Sequence, residues 1–557
     1  MNKTKYIFLV LALVGAAGYA SAQSLNPSVV VTNTYEGSVS GSVKQTLPMN
    51  VPDSLLKFDY QIDYSVFDNP YNGSYEFHPY LVEMRPDPKS FDGKRFYLNA
   101  GAGYSLHPEL DMVWSPMLQG DFSIGVYDTF RGYIGKYKDY DGTPGDAGRF
   151  LENRLGVGGR WESSVLDLSF DAGYHLLNAA DSLFGHGMNA GDFTVRVKSK
   201  DDGDSKVYYD VKLFGEGLKD NNSGRGGLSG SVGQFDGRLG GTVGYRVRQN
   251  RRAAVDAGLR FVGASGPFSG KMFQFNATPQ YLMDFERAHV KLGVKLSLLS
   301  SNHVGQIVYP DVSADYFIIP DRLDVYARVE GGDYIDSYSS LLKNNPFIHN
   351  EFCNSVAPGT LSVDNHTDRV DAVIGFRGMI GCHMHFDVNA GYKVGNNNLA
   401  DALFGVDDKT VFAIYRRCNF NTFHAGLGLV WESERLSAEG RFGFTDTDAL
   451  RNGNKVLAPS AFGADVTATY NIGDRIFFGI DLCGRTERKG MSEVQMEHSR
   501  QISVPGYVDF GVHGEYRINR WLSAWLKGGN LFGQPVQTYL LHVEQSPNFT
   551  AGICVKL

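Results

Sequence analysis

The sequence has 557 residues and a formal net charge of −8, with 42% hydrophobic and 20% charged residues. So modest a negative balance argues against a nucleic-acid partner, which wants a basic face. Gly (66), Tyr (30) and Phe (36) stand against only 20 Pro and 5 Cys, a mix that suits closely packed strands and interfacial aromatic girdles.

Lys3 and Lys5 open the chain, residues 7–17 are apolar apart from Gly15, and Ala20-Ser21-Ala22 supplies the small residues of a cleavage site. Residues 1–22 read as a signal peptide cut between Ala22 and Gln23. The apolar core is short beside the ~20 residues of a spanning helix, and no cysteine follows the cut to carry a lipid. Residues 23–94 contain Pro27, Pro48, Pro52, Pro70, Pro79, Pro86 and Pro88 and keep no steady period. They read as a periplasmic segment packing at or inside a barrel mouth. Its aromatics Tyr60, Tyr64, Phe67, Tyr71, Tyr75, Phe77 and Tyr80 either fill that mouth or dock a periplasmic partner.

From 95 to 557 the dominant period is two. Leu166, Leu168, Phe170, Ala172, Tyr174 and Leu176 oppose Asp167, Ser169, Asp171, Gly173 and His175. Met384, Phe386, Val388, Ala390 and Tyr392 oppose His385, Asp387, Asn389 and Gly391. The same split sets Leu436, Ala438, Gly440, Phe442 and Phe444 against Ser437, Glu439, Arg441 and Gly443, and it returns over 508–518. Alternate side chains on a strand face opposite ways, so each segment has one apolar and one polar wall. Segments of about 10–13 residues suit tilted spanning strands better than globular ones.

Connections alternate in length. Tight turns fall at Glu162-Ser163-Ser164, Phe285-Glu286-Arg287, Pro320-Asp321-Arg322, Asn471-Ile472-Gly473-Asp474 and Asn519-Arg520. Polar loops fall at 136–148, 177–190, 217–227, 334–368, 394–408, 446–459, 486–503 and 532–547. Short periplasmic turns with longer external loops are the habit of outer-membrane barrels, and closure removes the edges an open sheet would leave in lipid. The expected fold is all-β, a transmembrane antiparallel β-barrel of about 22 strands with both ends of the barrel chain in the periplasm. Residues 408–417 read as an external extension before a strand over 419–431. The longest loop, 334–368, either carries binding or folds inward as a constriction.

Candidate chemistry is sparse. His383 and His385 share a face with Asp387 beside them, a set able to hold zinc or iron, though a polar lumen produces such a trio by chance. Asp167/Asp171 and Asp139/Asp141 are carboxylate pairs, but wet lumen and loop carboxylates lack the dry pocket that general acid–base work needs. No Ser or His sits in a nucleophile–base setting. Gly224, Gly226, Gly227 and Gly240-Gly241 lack the strand–turn–helix context of a phosphate loop. Cys353, Cys382, Cys418, Cys483 and Cys554 lack metal or redox spacing. No catalytic, cofactor-binding or metal residue is assigned, and no enzyme activity is expected.

Tyr516-Arg517-Ile518-Asn519-Arg520-Trp521-Leu522 followed by Leu526-Lys527-Gly528-Gly529-Asn530-Leu531-Phe532 resembles the last strands of TonB-dependent outer-membrane receptors. Val29-Val30-Val31-Thr32 resembles the segment near a TonB box. The terminal alternation Phe549, Ala551, Ile553, Val555, Leu557 resembles the signal read by barrel assembly, with Leu557 in place of the usual aromatic. Those receptors carry a substantial plug, and residues 23–94 are too short for one, so the resemblance is to a plugless relative and energised import does not carry over with it. It implies a receptor or transport barrel that binds or passes a small solute; the alternative is a structural or assembly subunit of an outer-membrane complex. Partners under these readings are outer-membrane lipid, a small solute, and periplasmic or outer-membrane proteins. A barrel of about 22 strands has a wide lumen, so residues 23–94 and inward-folded long loops are expected to close most of it.

Overall fold

The computed structural model describes residues 95–104, 106–117, 121–138, 144–180, 184–200, 206–224, 229–300, 306–320, 322–348, 362–405, 411–448, 456–494, 500–543 and 546–557. The signal peptide, residues 23–94, the aromatic stretch within them, Cys353 and the Asp139/Asp141 pair lie outside the described residues.

The described residues form 26 strands in chain order. Four of them, Arg488–Val494, Arg500–Val504, Gln537–Tyr539 and His542–Val543, lie in external connections. The other 22 make a closed antiparallel ring in which each strand pairs with its chain neighbours. The ring closes where Phe96–Tyr104 pairs with Asn548–Lys556, from Tyr97↔Lys556 to Tyr104↔Phe549. Closure leaves no strand of the wall with an unpaired edge, which hydrocarbon demands.

Alternation sorts the two faces as the sequence implies. Leu292, Val294, Leu296 and Leu298 of one strand face outward and are exposed, while Lys291 and Lys295 face the lumen. Outward aromatics gather in two belts. Trp114, Trp161, Tyr245, Tyr316, Trp431, Tyr470 and Tyr516 sit near the short turns; Tyr104, Tyr174, Phe235, Tyr392, Phe444, Phe462 and Phe549 sit toward the other end. Phe462 and Tyr470 share one strand. About 8 residues at ~3.3 Å, tilted by about 40°, separate the belts by roughly 20 Å, close to the height of a membrane's apolar band.

The excess of glycine has a packing cause. Trp525 faces the lumen, is 3% exposed, and donates from Nε1 to Asn99 Oδ1. Its ring lies over Gly101 and Gly552, where a Cβ would overlap it. Tyr326 lies in the same way over Gly375, and His513 over Gly479. Large inward rings thus lie flat along the wall because the neighbouring strand carries no side chain there.

Several strands run well past the ~9–11 residues a membrane needs. Met384–Gly405 and Val411–Glu432 have 22 residues each and stand beyond the outer belt as a long hairpin. The loops expected at 177–190, 217–227 and 394–408 are therefore mostly strand: Leu166–Ala180, Phe184–Ser199, Val207–Gly224 and Met384–Gly405 run through them. Likewise, 411–418 is the upper part of a continuous strand rather than a separate extension.

Candidate functional site at the long-loop end of the lumen

In the half nearer the short turns, the inner wall is a mesh of cross-strand charge pairs. Arg377 bonds Asp324 (2.7 Å) and Asp315 (3.0 Å), and Lys291 bonds Asp311 (2.8 Å). Asp167 takes the Arg160 guanidinium, and Asp171 accepts from the Tyr127 hydroxyl at 3.0 Å. The two carboxylates singled out in the sequence are wall ties. Arg154 and Arg377 keep 49% and 42% of their side-chain surface open, so these groups face water.

The His383, His385, Asp387 trio is not brought together. His383 lies in the turn before Met384 and contacts the Glu432 carbonyl oxygen at 2.7 Å, while Asp387 accepts from the Tyr326 hydroxyl at 2.8 Å. Among the described residues no three metal-type side chains converge. One carboxylate–imidazole–hydroxyl series does exist that spacing did not reveal. Asp481 contacts His513 Nδ1 at 2.7 Å, and His513 Nε2 lies 3.1 Å from the Thr469 hydroxyl. Its members sit on three adjacent strands, with the imidazole held over Gly479. It ties the wall in the way the Tyr326–Asp387 contact does.

Higher up, three neighbouring ladders slip at one height. The register shifts between Glu330 and Gly332, between Asp368 and Val370, and between Gly395 and Asn398. A bulge inserts a residue, bends its strand and reverses which side chains face in. Below the line Asp324, Tyr326 and Arg328 face the lumen; above it Asp333 and Ile335 do, both buried. Asn397 at the line has φ 55°, a conformation Asn tolerates through local side-chain bonding; its amide donates to the Asn365 carbonyl at 2.6 Å.

The bulge line feeds a strap. Past Asp336 the chain turns inward through helix α1, Tyr338–Asn344, capped by Ser337, whose side chain accepts from the Ser340 N–H. Tyr338 and Leu342 are fully buried, and Leu341, Phe347 and Ile348 nearly so. Tyr338, Leu341, Leu342 and Ile348 pack on lumen-facing Leu177, Met188, Leu218, Val232, Val262 and Met272, and Phe347 packs with Tyr133 and Ala179. Each such side chain contributes about 1.5–3 kcal/mol on burial.

Polar contacts fix the strap on several sides. The Tyr338 hydroxyl donates to Asp220 at 2.6 Å, and Asp220 also contacts His186 Nδ1 at 2.7 Å. His186 Nε2 lies 2.7 Å from the Ile348 carbonyl oxygen, and Arg260 donates to the Ile335 carbonyl at 2.9 Å. Away from that side, Phe347 stacks on His542 at 4.0 Å and Tyr415 donates to the Leu341 carbonyl at 3.5 Å. At the strap's root Asp336 bonds both His366 (2.7 Å) and Arg417 (2.8 Å). Asn365 and Asn398 beside them are buried, with side-chain polar atoms lacking a partner among the described residues. Of the two expectations for the longest loop, its described part, 337–348, takes the inward one.

Beside the strap lies a cleft of about 150 Å³. Its lining includes Asp401, Arg441, Arg485, Arg488, Tyr507 and Tyr539. Arg485 is bidentate on Asp465 and Arg488 bonds Asp401 at 2.8 Å, so the charge of those two guanidiniums is matched within the wall. Sequence reading could not find this cleft, because its residues come from connections and strands scattered between 344 and 540.

No family model matches the chain, and no curated protein does. Solved structures do. The copper transporter OprC aligns with a TM-score of 0.59 at 12% identity, over 84% of this chain and 80% of that one. The FrpB iron transporter from Neisseria meningitidis (F5-1 variant) aligns at 0.62 and 10%, over 83% and 82%. The siderophore receptor PirA from Pseudomonas aeruginosa aligns at 0.57 and 12%, over 83% and 80%. At these identities the likeness is one of fold.

Proposed function

We propose that this chain, whose fold is the 22-stranded barrel of the TonB-dependent outer-membrane receptors, is a receptor or transport barrel that binds or passes a small solute. The observation that carries this reading is the division of the lumen. Its periplasmic half is walled by water-facing charge pairs, and its extracellular end is narrowed by the strap over residues 337–348 beside a polar cleft. A barrel serving only as a wall needs neither a wide wet lumen nor a fitted constriction.

Solute entering from outside meets the cleft first. Its exposed Arg441 guanidinium and tyrosine hydroxyls supply hydrogen bonds, and Arg485 and Arg488, already matched by carboxylates, add little net charge. The structural neighbours are described as transporters of copper and iron and as a siderophore receptor. Residues 23–94, too short for a full plug, close the remaining lumen from the periplasmic side in this reading.

Planar-bilayer conductance tests it. The full chain is expected to show near-zero conductance, and deletion of residues 23–94 to open a steady one. A large ohmic conductance from the intact protein would overturn the closed-lumen reading. Gentle detergent extraction tests the alternative: a stoichiometric set of co-purifying proteins, with no solute-dependent change in conductance, would favour an assembly subunit.

A further inference from the structure

Three of the short turns carry an acid–arginine dipeptide. Glu286-Arg287 precedes the strand Ala288–Leu299, Glu434-Arg435 precedes Leu436–Thr447, and Asp474-Arg475 precedes Ile476–Arg485. Arg322 holds the same place before Leu323–Asp336. All seven residues are exposed. The acid and the arginine within each turn do not pair with each other. Among the described residues Glu286, Arg287, Arg322, Glu434, Arg435 and Arg475 make no side-chain hydrogen bond or ion pair. Asp474 accepts from the Asn471 amide through one oxygen at 2.6 Å, which leaves the other open.

Depth is set by the neighbours. Phe285, Trp431, Tyr470, Ile476 and Phe478 are outward-facing and exposed beside these turns, so the turns lie just beyond the lower aromatic belt, at the level of lipid head groups. Arginine presents a planar fork that matches a phosphate in a bidentate manner. A carboxylate one residue away accepts from an ammonium.

We propose that the periplasmic rim binds zwitterionic phospholipid head groups of the phosphoethanolamine type, the arginine of each turn taking the phosphate and the adjacent carboxylate the ammonium. Each dipeptide sums to zero charge, so it complements a zwitterion better than an anion. A phosphoglycerol head group meets the carboxylate with nothing to offer it but hydroxyls, while its net negative charge is repelled. A phosphocholine head group carries no N–H to donate. Repeated along the rim, such contacts hold the barrel at one depth in the leaflet facing the periplasm.

The test is lipid retention by the full-length protein, read by native mass spectrometry from mixed micelles holding equal amounts of phosphatidylethanolamine, phosphatidylcholine and phosphatidylglycerol. Phosphatidylethanolamine is expected to be retained about threefold over each of the others, the scale of one exposed ion pair. The triple variant Arg287→Gln, Arg435→Gln, Arg475→Gln is expected to lose that excess, and the matching lysine variant to recover only part of it. Glu286→Gln with Glu434→Gln is expected to remove the discrimination against phosphatidylglycerol while leaving phosphate binding. Unchanged heat-modifiable migration on gels establishes that each variant is folded. Equal retention of the three lipids, a preference for phosphatidylglycerol, or an undisturbed excess in the folded arginine variant would overturn the proposal. So would loss of a co-purifying protein in place of lipid.

Discussion

Below the bulge line the barrel wall is a single layer, apolar outside and charged inside, with its guanidiniums open to water. Above it, strand, strap and external connections pack on both sides of one another, and Tyr338, Leu342, Val232 and Val262 are fully buried. The lower half is stabilised as membrane barrels are, by hydrogen bonding in hydrocarbon and many weak ion pairs. The upper half is stabilised as a soluble domain is, by an apolar core with buried charge ties. The same strands run through both, so one chain segment obeys two sets of rules along its length.

The seam that both halves share gives the largest expected effect. Gly552→Val places a branched side chain under the Trp525 ring and against the Ala100 carbonyl, and overpacking there costs about 1–3 kcal/mol or more. Because this is where the ring closes, the expected outcome is loss of heat-modifiable migration altogether. If Gly552→Val migrates as a folded barrel, the flat Trp525 packing is not what the glycine is for. Next in size is Tyr338→Ala with Leu342→Ala, which empties the strap's anchor at about 2–5 kcal/mol per side chain. That loss should stay local: hydrogen exchange rises over residues 337–348 while gel migration is kept. Migration lost together with the strap would merge the two halves into one cooperative unit.

How much of this was legible follows the same division. The lower-half strands stood in the sequence nearly as folded, since Leu166–Ala180, Leu436–Thr447 and Tyr507–Arg517 match the alternation read over 165–176, 436–445 and 508–518. Around 394–418 the upper half was misread as loop for two physical reasons. Bulges at Glu330/Gly332, Asp368/Val370 and Gly395/Asn398 reverse the alternation in mid-strand, so a period-two pattern ends where the strand does not. Above them both faces are covered, and Ala413, Ile414 and Tyr415 are buried in succession, which erases alternation outright. The strap's partners were invisible for another reason: Asp220, Gln234 and His186 are brought to Tyr338 and Ile348 by closure of the ring, not by spacing.

Two smaller effects sharpen the contrast in charge. Asp236 is 1% exposed and held by Arg238 (2.7 Å) and Arg260 (2.8 Å) in the upper half. Asp236→Asn should lower stability by about 3 kcal/mol, since a broken buried pair leaves cationic groups uncompensated; chemical denaturation of the refolded protein measures it. Arg377→Gln removes a lower-half tie of comparable geometry. Its guanidinium is solvated, so the expected loss is below about 1 kcal/mol. Equal losses for Asp236→Asn and Arg377→Gln would mean that the lower lumen is as dry as the upper, and would erase the distinction.

The join between Phe96–Tyr104 and Asn548–Lys556 also orders events in time. Every other pair of neighbours in the ring is consecutive among its strands, and those joined by a tight turn are hairpins that can zip as soon as the turn forms, on a microsecond scale. Tyr97 and Lys556 are separated by nearly the whole barrel, and bringing such distant partners together is the slow, entropically costly step. Until it happens, each of those two strands offers an unpaired ladder that any other chain can take up. Assembly therefore has a long interval in which the first strand must be held by something other than its eventual partner. The Trp525 ring, which reaches over Gly552 of the adjacent strand to Gly101 of the strand beyond, can seat fully only when that wait is over, so it reports completion rather than progress.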